Sequence, residues 1–420
     1  MSVPGDRDWS SSVKDTPLSS WADRFESVHE FQAAPDGDHV AAIVKTGEAE
    51  FAACVDGDLW PERFDKMWHL RYAPDGRLCA LVSTGGEWTV AVDGVPWGNR
   101  FGYAWNTLFS PDGGHIAVAF QQDMAYGMAC DDLPWETTYP NLTHPALSPD
   151  GRHTAAVVQT EPLGEADLQK YQQGLYTVAA DGAPWGKNFV NVWKTAFSPD
   201  GASLAAETRL SLYDYTIAVN GTPWGQTFGG VWEPVFNPGS GTVAAPVRIQ
   251  GKWALAQDGR EIWERRFVQL WQLAFSPNGR RLAAIVAPRF GRWTVAVDGV
   301  PWPVTVGEMV TDLVFSPDGA RVAAAVKDRG RWSLGADGRL WHTTFDMVRK
   351  PVFSPDGRHL AAAVQRQGVY TVAVDDRVWA RDCEAAWDPV FSPDGGSLLL
   401  RTIEGGTYFR RVMPVADITG

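Results

Sequence analysis

Ten tryptophans recur along this chain at nearly constant spacing, and they constrain its fold more than any other feature. They are Trp21, Trp60, Trp97, Trp135, Trp185, Trp224, Trp263, Trp302, Trp341 and Trp379. Successive members lie 37 to 39 residues apart, except for one interval of 50 residues between Trp135 and Trp185. A fixed period of this length indicates one supersecondary unit repeated through almost the whole chain.

Each unit reads approximately FSPDGxxLAAxV and then WTVAVDGxPW. In the most regular unit, residues 271–275, 282–286 and 293–297 predict three strands, and Trp302 is expected to begin a fourth. Proline sets φ at the first turn, and Asp or Asn followed by Gly supplies the positive φ that a tight hairpin needs. Four short antiparallel strands per period are typical of one blade of a β-propeller.

The two ends of the chain predict how the ring closes. Residues 21–25 match the fourth-strand pattern without three strands before them, whereas residues 391–397 and 408–412 provide the first three strands of a last blade. Pairing the N-terminal fourth strand with the C-terminal blade would remove both exposed sheet edges. The predicted fold is therefore an all-β propeller of about ten four-stranded blades, with two five-bladed propellers as the alternative.

The expected domain organisation is an N-terminal tail over residues 1–20 and a propeller over residues 21–420. The long interval comes from a loop insertion at residues 161–173, and its part from Glu165 to Gln173 has helix-forming composition. Because insertions on one face of a repeat protein often form binding surfaces, Tyr171 within it is a candidate partner contact.

Composition disfavours several classes of function. The chain has 37 basic and 50 acidic residues, a net charge of −13, without a basic cluster, so we expect no nucleic-acid partner. The four cysteines are scattered away from metal-ligand spacings, and no nucleotide, hydrolase or metalloprotease motif occurs. We predict no catalytic, metal-binding or cofactor-binding residues. With no apolar stretch of membrane-spanning length and no leader-like start, we expect a cytoplasmic protein without direct membrane insertion.

The 21 tryptophans fall into groups with different expected roles. The ten periodic residues are predicted to pack between blades, because a residue present in every unit serves the repeat. Four others open third strands: Trp88, Trp253, Trp293 and Trp332. Six precede first strands in only some units and are the candidate partner-binding residues: Trp68, Trp105, Trp193, Trp232, Trp271 and Trp387. Each is followed by a polar residue of varying charge.

The repeated FSPDGxxLA segment and the third strand ending in Asp resemble the WD-repeat and, more closely, the TolB-like propellers with Pro-Asp-Gly repeats, from residue 21 to about 415. The GH and WD dipeptides do not recur from unit to unit as they do in regular WD repeats. In its tryptophan richness the chain is similar to the tryptophan-rich cytoplasmic subunits of the Tmc transmembrane redox complexes of sulfate-reducing bacteria. That resemblance implies partners that include a membrane cytochrome b, an iron–sulfur protein and a periplasmic multihaem cytochrome, and no cofactor on this chain.

Two functions are therefore expected in competition. The first is a non-enzymatic protein–protein interaction scaffold, a cytoplasmic subunit held at the inner membrane through the partners of an electron-transfer complex. The alternative is a carbohydrate-binding or carbohydrate-active propeller that stacks sugar rings on exposed tryptophans.

Overall fold

The computed structural model describes residues 7–9, 13–161 and 168–419, and these form ten antiparallel sheets in one propeller. We number the blades 1 to 10 in chain order. The first strands of blades 1 to 8 are β2 (Ser27–Ala33), β6 (Lys66–Tyr72), β10 (Tyr103–Phe109), β14 (Asn141–Leu147), β18 (Asn191–Phe197), β22 (Val235–Phe236), β26 (Gln269–Phe275) and β30 (Met309–Phe315). In blades 9 and 10 the first strand is split into β34 (Met347–Val348) with β35 (Val352–Phe353), and β39 (Ala385–Ala386) with β40 (Val390–Phe391).

The second and third strands form the central hairpin of every blade. The second strands are β3 (Val40–Gly47), β7 (Leu78–Thr84), β11 (Ile116–Gln122), β15 (Thr154–Gln159), β19 (Leu204–Arg209), β23 (Val243–Ile249), β27 (Leu282–Arg289), β31 (Val322–Asp328), β36 (Leu360–Arg366) and β41 (Ser397–Glu404). The third strands are β4 (Glu50–Val55), β8 (Glu87–Val92), β12 (Ala125–Cys130), β16 (Tyr176–Ala180), β20 (Tyr215–Val219), β24 (Lys252–Gln257), β28 (Arg292–Val297), β32 (Arg331–Ala336), β37 (Val369–Val374) and β42 (Thr407–Pro414).

The fourth strands are short in nine blades. They are β5 (Asp58–Leu59), β9 (Val95–Pro96), β13 (Leu133–Pro134), β17 (Ala183–Pro184), β21 (Thr222–Pro223), β25 (Arg260–Glu261), β29 (Val300–Pro301), β33 (Arg339–Leu340), β38 (Arg377–Val378) and, for blade 10, β1 (Val13–Pro17). The prediction that Trp302 begins a fourth strand was wrong, because β29 ends one residue before it. Three short helices complete the described chain: α1 (Ser19–Arg24), α2 (Leu168–Gln173) and α3 (Ala416–Thr419).

The packing shows one closed ring of ten blades and not two rings of five. Every pair of consecutive blades shares a cluster of buried apolar side chains, including blades 5 and 6 and the closing pair, blades 10 and 1. Alternate residues of a second strand enter the two neighbouring clusters: Ala41 and Ile43 face blade 2, whereas Ala42 faces blade 10. Because both faces of each second strand are buried, the sequences of the second strands are nearly continuous apolar runs.

Each of the ten clusters contains one of the ten periodic tryptophans, so their predicted role between blades is confirmed. In seven blades the tryptophan that follows the preceding blade packs on the glycine of the Asp-Gly or Asn-Gly turn, whereas the turns of blades 3 and 9 carry a second aspartate in place of the glycine. A Cβ at Gly94, which has a φ of +83°, would lie 3.2 Å from the Trp60 ring. The glycine thus provides both the left-handed turn and the space for the ring, which explains why the two motifs recur with one period.

The aspartate of the same turn joins two hairpins. In blades 1 to 9 its carboxylate, or the amide oxygen of Asn220, accepts a hydrogen bond from the first N–H of the second strand. In blade 7 Asp298 Oδ1 accepts from the Leu282 N–H at 2.9 Å. This contact explains the recurrence of the turn aspartate without any catalytic role.

The ring closes between the two termini, as predicted, but through a different segment. Strand β1 pairs antiparallel with β42 over its whole length, from Val13 with Arg411 to Pro17 with Thr407. Residues 13–17, which the sequence analysis placed in a tail, are therefore a propeller strand. Residues 21–25, expected to be the closing strand, lie mostly in α1. Trp21 nevertheless fills the core between blades 10 and 1 and is only 2% exposed.

Buried arginines of blade 10 reinforce this closure. Arg410, 1% exposed, donates to the Asp36 and Asp8 carbonyls and lies 3.2 Å from a carboxylate oxygen of Asp38. Arg411 pairs with Glu404 at 2.5 Å. A buried charge left without its partner would be costly, so the Arg410 contacts favour the docking of blade 10 against blade 1, whereas the Arg411–Glu404 pair lies within blade 10.

Candidate functional site

The six non-universal tryptophans occupy equivalent positions of the repeat. Four of them are the third residue of a first strand, so the prediction that they precede it was wrong, whereas Trp232 lies three residues before β22 and Trp387 lies between β39 and β40. The four tryptophans inside first strands pair across the sheet with a second-strand residue, as Trp193 does with Glu207. Each ring lies beside the aromatic residue that opens the third strand of its own blade. The ring centroids are 4.1 Å apart for Trp68 and Trp88, 4.5 Å for Trp271 and Trp293, 5.3 Å for Trp232 and Trp253, 6.0 Å for Trp387 and Tyr408, and 6.1 Å for both Trp193 with Tyr215 and Trp105 with Tyr126.

Three of the six candidates, from blades 5, 6 and 7, meet in a single cavity of about 830 Å³ that extends to His144 of blade 4. Its aromatic wall comprises Trp193, Tyr215, Trp232, Trp253 and Trp271. Trp232 is 46% exposed, far more than a packing residue needs to be. The Trp232 and Trp253 planes differ by only 14°, so one ring fixes the orientation of the other. We call this space the tryptophan cavity.

Glu207 also lines the tryptophan cavity and breaks the repeat pattern. It is the fourth residue of the Leu204–Thr208 apolar run, where the other nine blades carry Ile43, Leu81, Ala119, Val157, Pro246, Ile285, Ala325, Ala363 and Arg401. Only 5% of Glu207 is exposed, and no hydrogen bond to its carboxyl group is found among the described residues. Burial, reinforced by the nearby Glu233 carboxylate, raises the Glu207 pKa to about 8. The carboxyl group is therefore mostly protonated at neutral pH.

Charged and polar side chains complete the lining. Lys194 Nζ lies 3.9 Å from Glu233 Oε1, and both residues are more than half exposed at their side chains. Arg248, Gln272 and His144 line the same space. Burial and the Lys194 ammonium lower the pKa of His144, which keeps its imidazole neutral at pH 7.

The other candidates lie apart from this cavity. Trp68 and Trp105 belong to a second aromatic group joined through Tyr103, which is 41% exposed. Trp387 lies at the ring closure beside Tyr408. Tyr171 is half-buried on α2, which confirms a helix in the insertion from residue 168 onward. Residues 162–167, including Glu165 of the predicted helix, lie outside the described part of the chain.

Sequence reasoning missed Glu207, Tyr215 and Trp253 as members of one site. Trp253 was predicted only to open a third strand, and Tyr215 occupies the equivalent position in blade 5. The signal for Glu207 was present, since an acidic residue in an otherwise apolar strand run indicates a local purpose. The role of Glu207, however, depends on which blades are neighbours and on the space between them.

Among the described residues, His115, Cys130 and Asp131 place potential metal-ligand atoms within 4.8 Å of one another. The same pairing of a second-strand histidine with the turn aspartate occurs as His39 with Asp56 and as His359 with Asp375. Since the pairing recurs in blades without the cysteine, it is a feature of the turn and does not distinguish a metal site.

Comparisons with known proteins concern the fold alone. The chain matches no protein-family model and no curated protein. Among solved structures it is similar to a eukaryotic initiation factor, with 14% identity, a TM-score of 0.47 and coverage of 80% of this chain and 91% of that one. It is also similar to TolB from Acinetobacter baumannii, with 14% identity, a TM-score of 0.29 and coverage of 57% and 60%.

Prolyl endopeptidases are a third structural neighbour, with 12% identity and a TM-score of 0.38. That match covers 82% of this chain but only 55% of the endopeptidase chain. Of the helices in the described residues, none has the length and apolarity required to cross a lipid bilayer.

Proposed function

We propose that this protein is a non-enzymatic interaction propeller and that the tryptophan cavity is its recognition site. The observation that supports this most is the convergence of Trp193, Trp232 and Trp271 from three consecutive blades. None of these tryptophans is demanded by the repeat, because other blades carry unrelated residues at the same position. Exposed aromatic residues in a concave site are typical of binding surfaces.

The rigidity of the scaffold supports a role in binding. Each of blades 5, 6 and 7 is held between two neighbours by shared apolar cores, and the exposed Trp232 ring and the half-buried Trp193 and Trp271 rings each lie against a second ring. A preorganised surface loses little conformational entropy when it binds. The net charge of −13 favours partners with a basic surface.

Photo-crosslinking in the native cell tests the proposed site. A photoreactive phenylalanine analogue at position 232 is expected to capture a reproducible partner. The matched control carries the analogue at Val300, which is 69% exposed on the fourth strand of blade 7 and away from the cavity. Equal capture from both positions, or capture only from position 300, would contradict the assignment of the recognition site.

The resemblance to the Tmc subunits supports a more specific proposal for the role of this protein. In it the protein is a cytoplasmic, cofactor-free subunit attached to a membrane cytochrome b and an iron–sulfur protein. Affinity purification of the chain from detergent-solubilised native membranes is expected to recover both partners. Recovery of neither partner under conditions that keep membrane complexes intact would refute this role.

A further inference from the structure

We infer that the tryptophan cavity binds a short carbohydrate chain, with sugar rings stacked on its tryptophans and sugar hydroxyls hydrogen-bonded to the polar groups between them. The inference rests on the proposed function, because it names the ligand class of the same recognition site. It joins three features of the cavity: its flat aromatic surfaces, its balanced polar groups and the buried Glu207.

The aromatic surfaces suit the apolar faces of sugar rings. Trp193, Trp232 and Trp271 come from three successive blades, so they present several separate flat surfaces within one space. Each is supported by a second aromatic ring, which fixes its plane before a ligand arrives. A volume of about 830 Å³ is within the range of pockets for ligands of several rings.

The polar lining suits hydroxyl groups better than an ion. Lys194 and Arg248 donate hydrogen bonds, Glu233 accepts them, and Gln272 does both. A sugar hydroxyl also donates and accepts, so a mixed set of this kind can satisfy it. The two cationic side chains would repel a quaternary ammonium ligand, which is the other class that aromatic cages bind.

While its carboxyl group is protonated, Glu207 can donate a hydrogen bond to a sugar hydroxyl and can also accept one from it. The charged and titratable groups that line the cavity with it are Lys194 on β18, Tyr215 on β20, Glu233 before β22, Arg248 on β23 and His144 on β14. With its pKa raised to about 8, the group is a neutral donor and acceptor at pH 7 and loses its proton above pH 8. Sugar affinity should therefore decrease as the pH rises through 8.

The test uses the purified full-length chain with neutral gluco-, xylo- and chito-oligosaccharides of two to six units, followed by tryptophan fluorescence and titration calorimetry. We expect saturable binding by at least one series and at least a tenfold loss of affinity in Trp232→Ala. The matched control Trp68→Ala, at the equivalent position of blade 2, should keep wild-type affinity. Glu207→Gln should bind at pH 7 but lack the decrease above pH 8, because its amide does not titrate.

Three outcomes would overturn the carbohydrate inference: no saturable binding by any series, unchanged affinity in a folded Trp232→Ala variant, or binding of tetramethylammonium in preference to every sugar. Chromatography of the bound sugar separates this inference from the proposed function. Recovery of the intact sugar supports the carbohydrate inference and agrees with a non-enzymatic function. Cleavage of the sugar would support carbohydrate binding and refute the non-enzymatic function. Capture of a partner at position 232 without any sugar binding would support the proposed function and refute the carbohydrate inference.

Discussion

At the residue scale, the tryptophans of this protein divide by whether the repeat needs them. Trp263 is 6% exposed, lies in the core between blades 6 and 7 and packs on the turn glycine Gly299. Trp232 has the same chemistry but is 46% exposed in the cavity. Because the two residues occupy different positions in the blade, we expect substitution of Trp263 to affect mainly stability and substitution of Trp232 to affect mainly binding.

Trp263→Ala is expected to lower the free energy of unfolding by about 3–5 kcal/mol, since it leaves a large cavity in an interblade core. Trp232→Ala should cost roughly 1 kcal/mol, because half of its ring already contacts solvent. Chemical denaturation of both variants measures the difference. Equal losses of stability would contradict the separation of packing and recognition residues.

Glu207 makes the free energy of unfolding depend on pH, and the sign of this dependence is that of a carboxyl group whose pKa is raised in the folded state. Its pKa is raised from 4.5 in the unfolded chain to about 8 in the folded protein, so between these values the folded state holds one more proton. Its contribution to stability therefore decreases as the pH rises through this window, by up to ~1.4 kcal/mol per pH unit, and becomes constant above it. Glu207→Gln should remove this decrease, so that the stability difference between variant and wild type grows from pH 5 to pH 8. A constant difference across this range would show that burial does not perturb Glu207.

At the scale of elements, the closing strand is the part of the blade most distant from its partners in sequence. Strand β1 pairs with β42, and Lys14 Nζ forms an ion pair with Asp38 Oδ1 at 2.6 Å in blade 1. Without β1, the third strand of blade 10 would expose an unpaired edge that promotes association between molecules.

Deletion of residues 1–17 should consequently lower the melting temperature and produce oligomers at micromolar concentration. Deletion of residues 1–6 is the matched control, since it leaves β1 and residues 7–9 in place. Thermal unfolding and light scattering report the two effects. A monomeric product with wild-type stability would show that β1 does not close the ring.

At the scale of the whole molecule, ten blades share ten cores without an interruption. The core between blades 5 and 6, with Phe228 and Val247, is as extensive as those elsewhere, although two separate five-bladed rings would have no contact there of this kind. A ring of this construction has no terminal repeat, so each blade depends on two neighbours.

We therefore expect a single heat-unfolding transition, with the same midpoint by far-UV circular dichroism and by tryptophan fluorescence. The fluorescence signal averages over cores in all ten blades, whereas circular dichroism follows the sheets. Two resolved transitions would indicate two independently folding halves and would contradict one cooperative ring.

Much of this architecture was predictable from local patterns. The tryptophan period, the Pro-Asp-Gly hairpins and the incomplete ends indicated ten blades and closure between the termini, because each of these signals acts within one repeat. The closing strand was misplaced for a physical reason. Residues 13–17 lack the turn and tryptophan of other fourth strands, and their partner is nearly 400 residues away in the sequence.

The repeat, the blade and the residues that pack in every interface follow from the sequence, because hydrophobic periodicity and turn chemistry are local properties. Which tryptophans share a cavity depends on how the blades are arranged in space. Trp193, Trp232 and Trp271 look equivalent to Trp68, Trp105 and Trp387 in the sequence. They converge with Glu207 because blades 5, 6 and 7 are neighbours in the ring and leave a cavity between their aromatic faces.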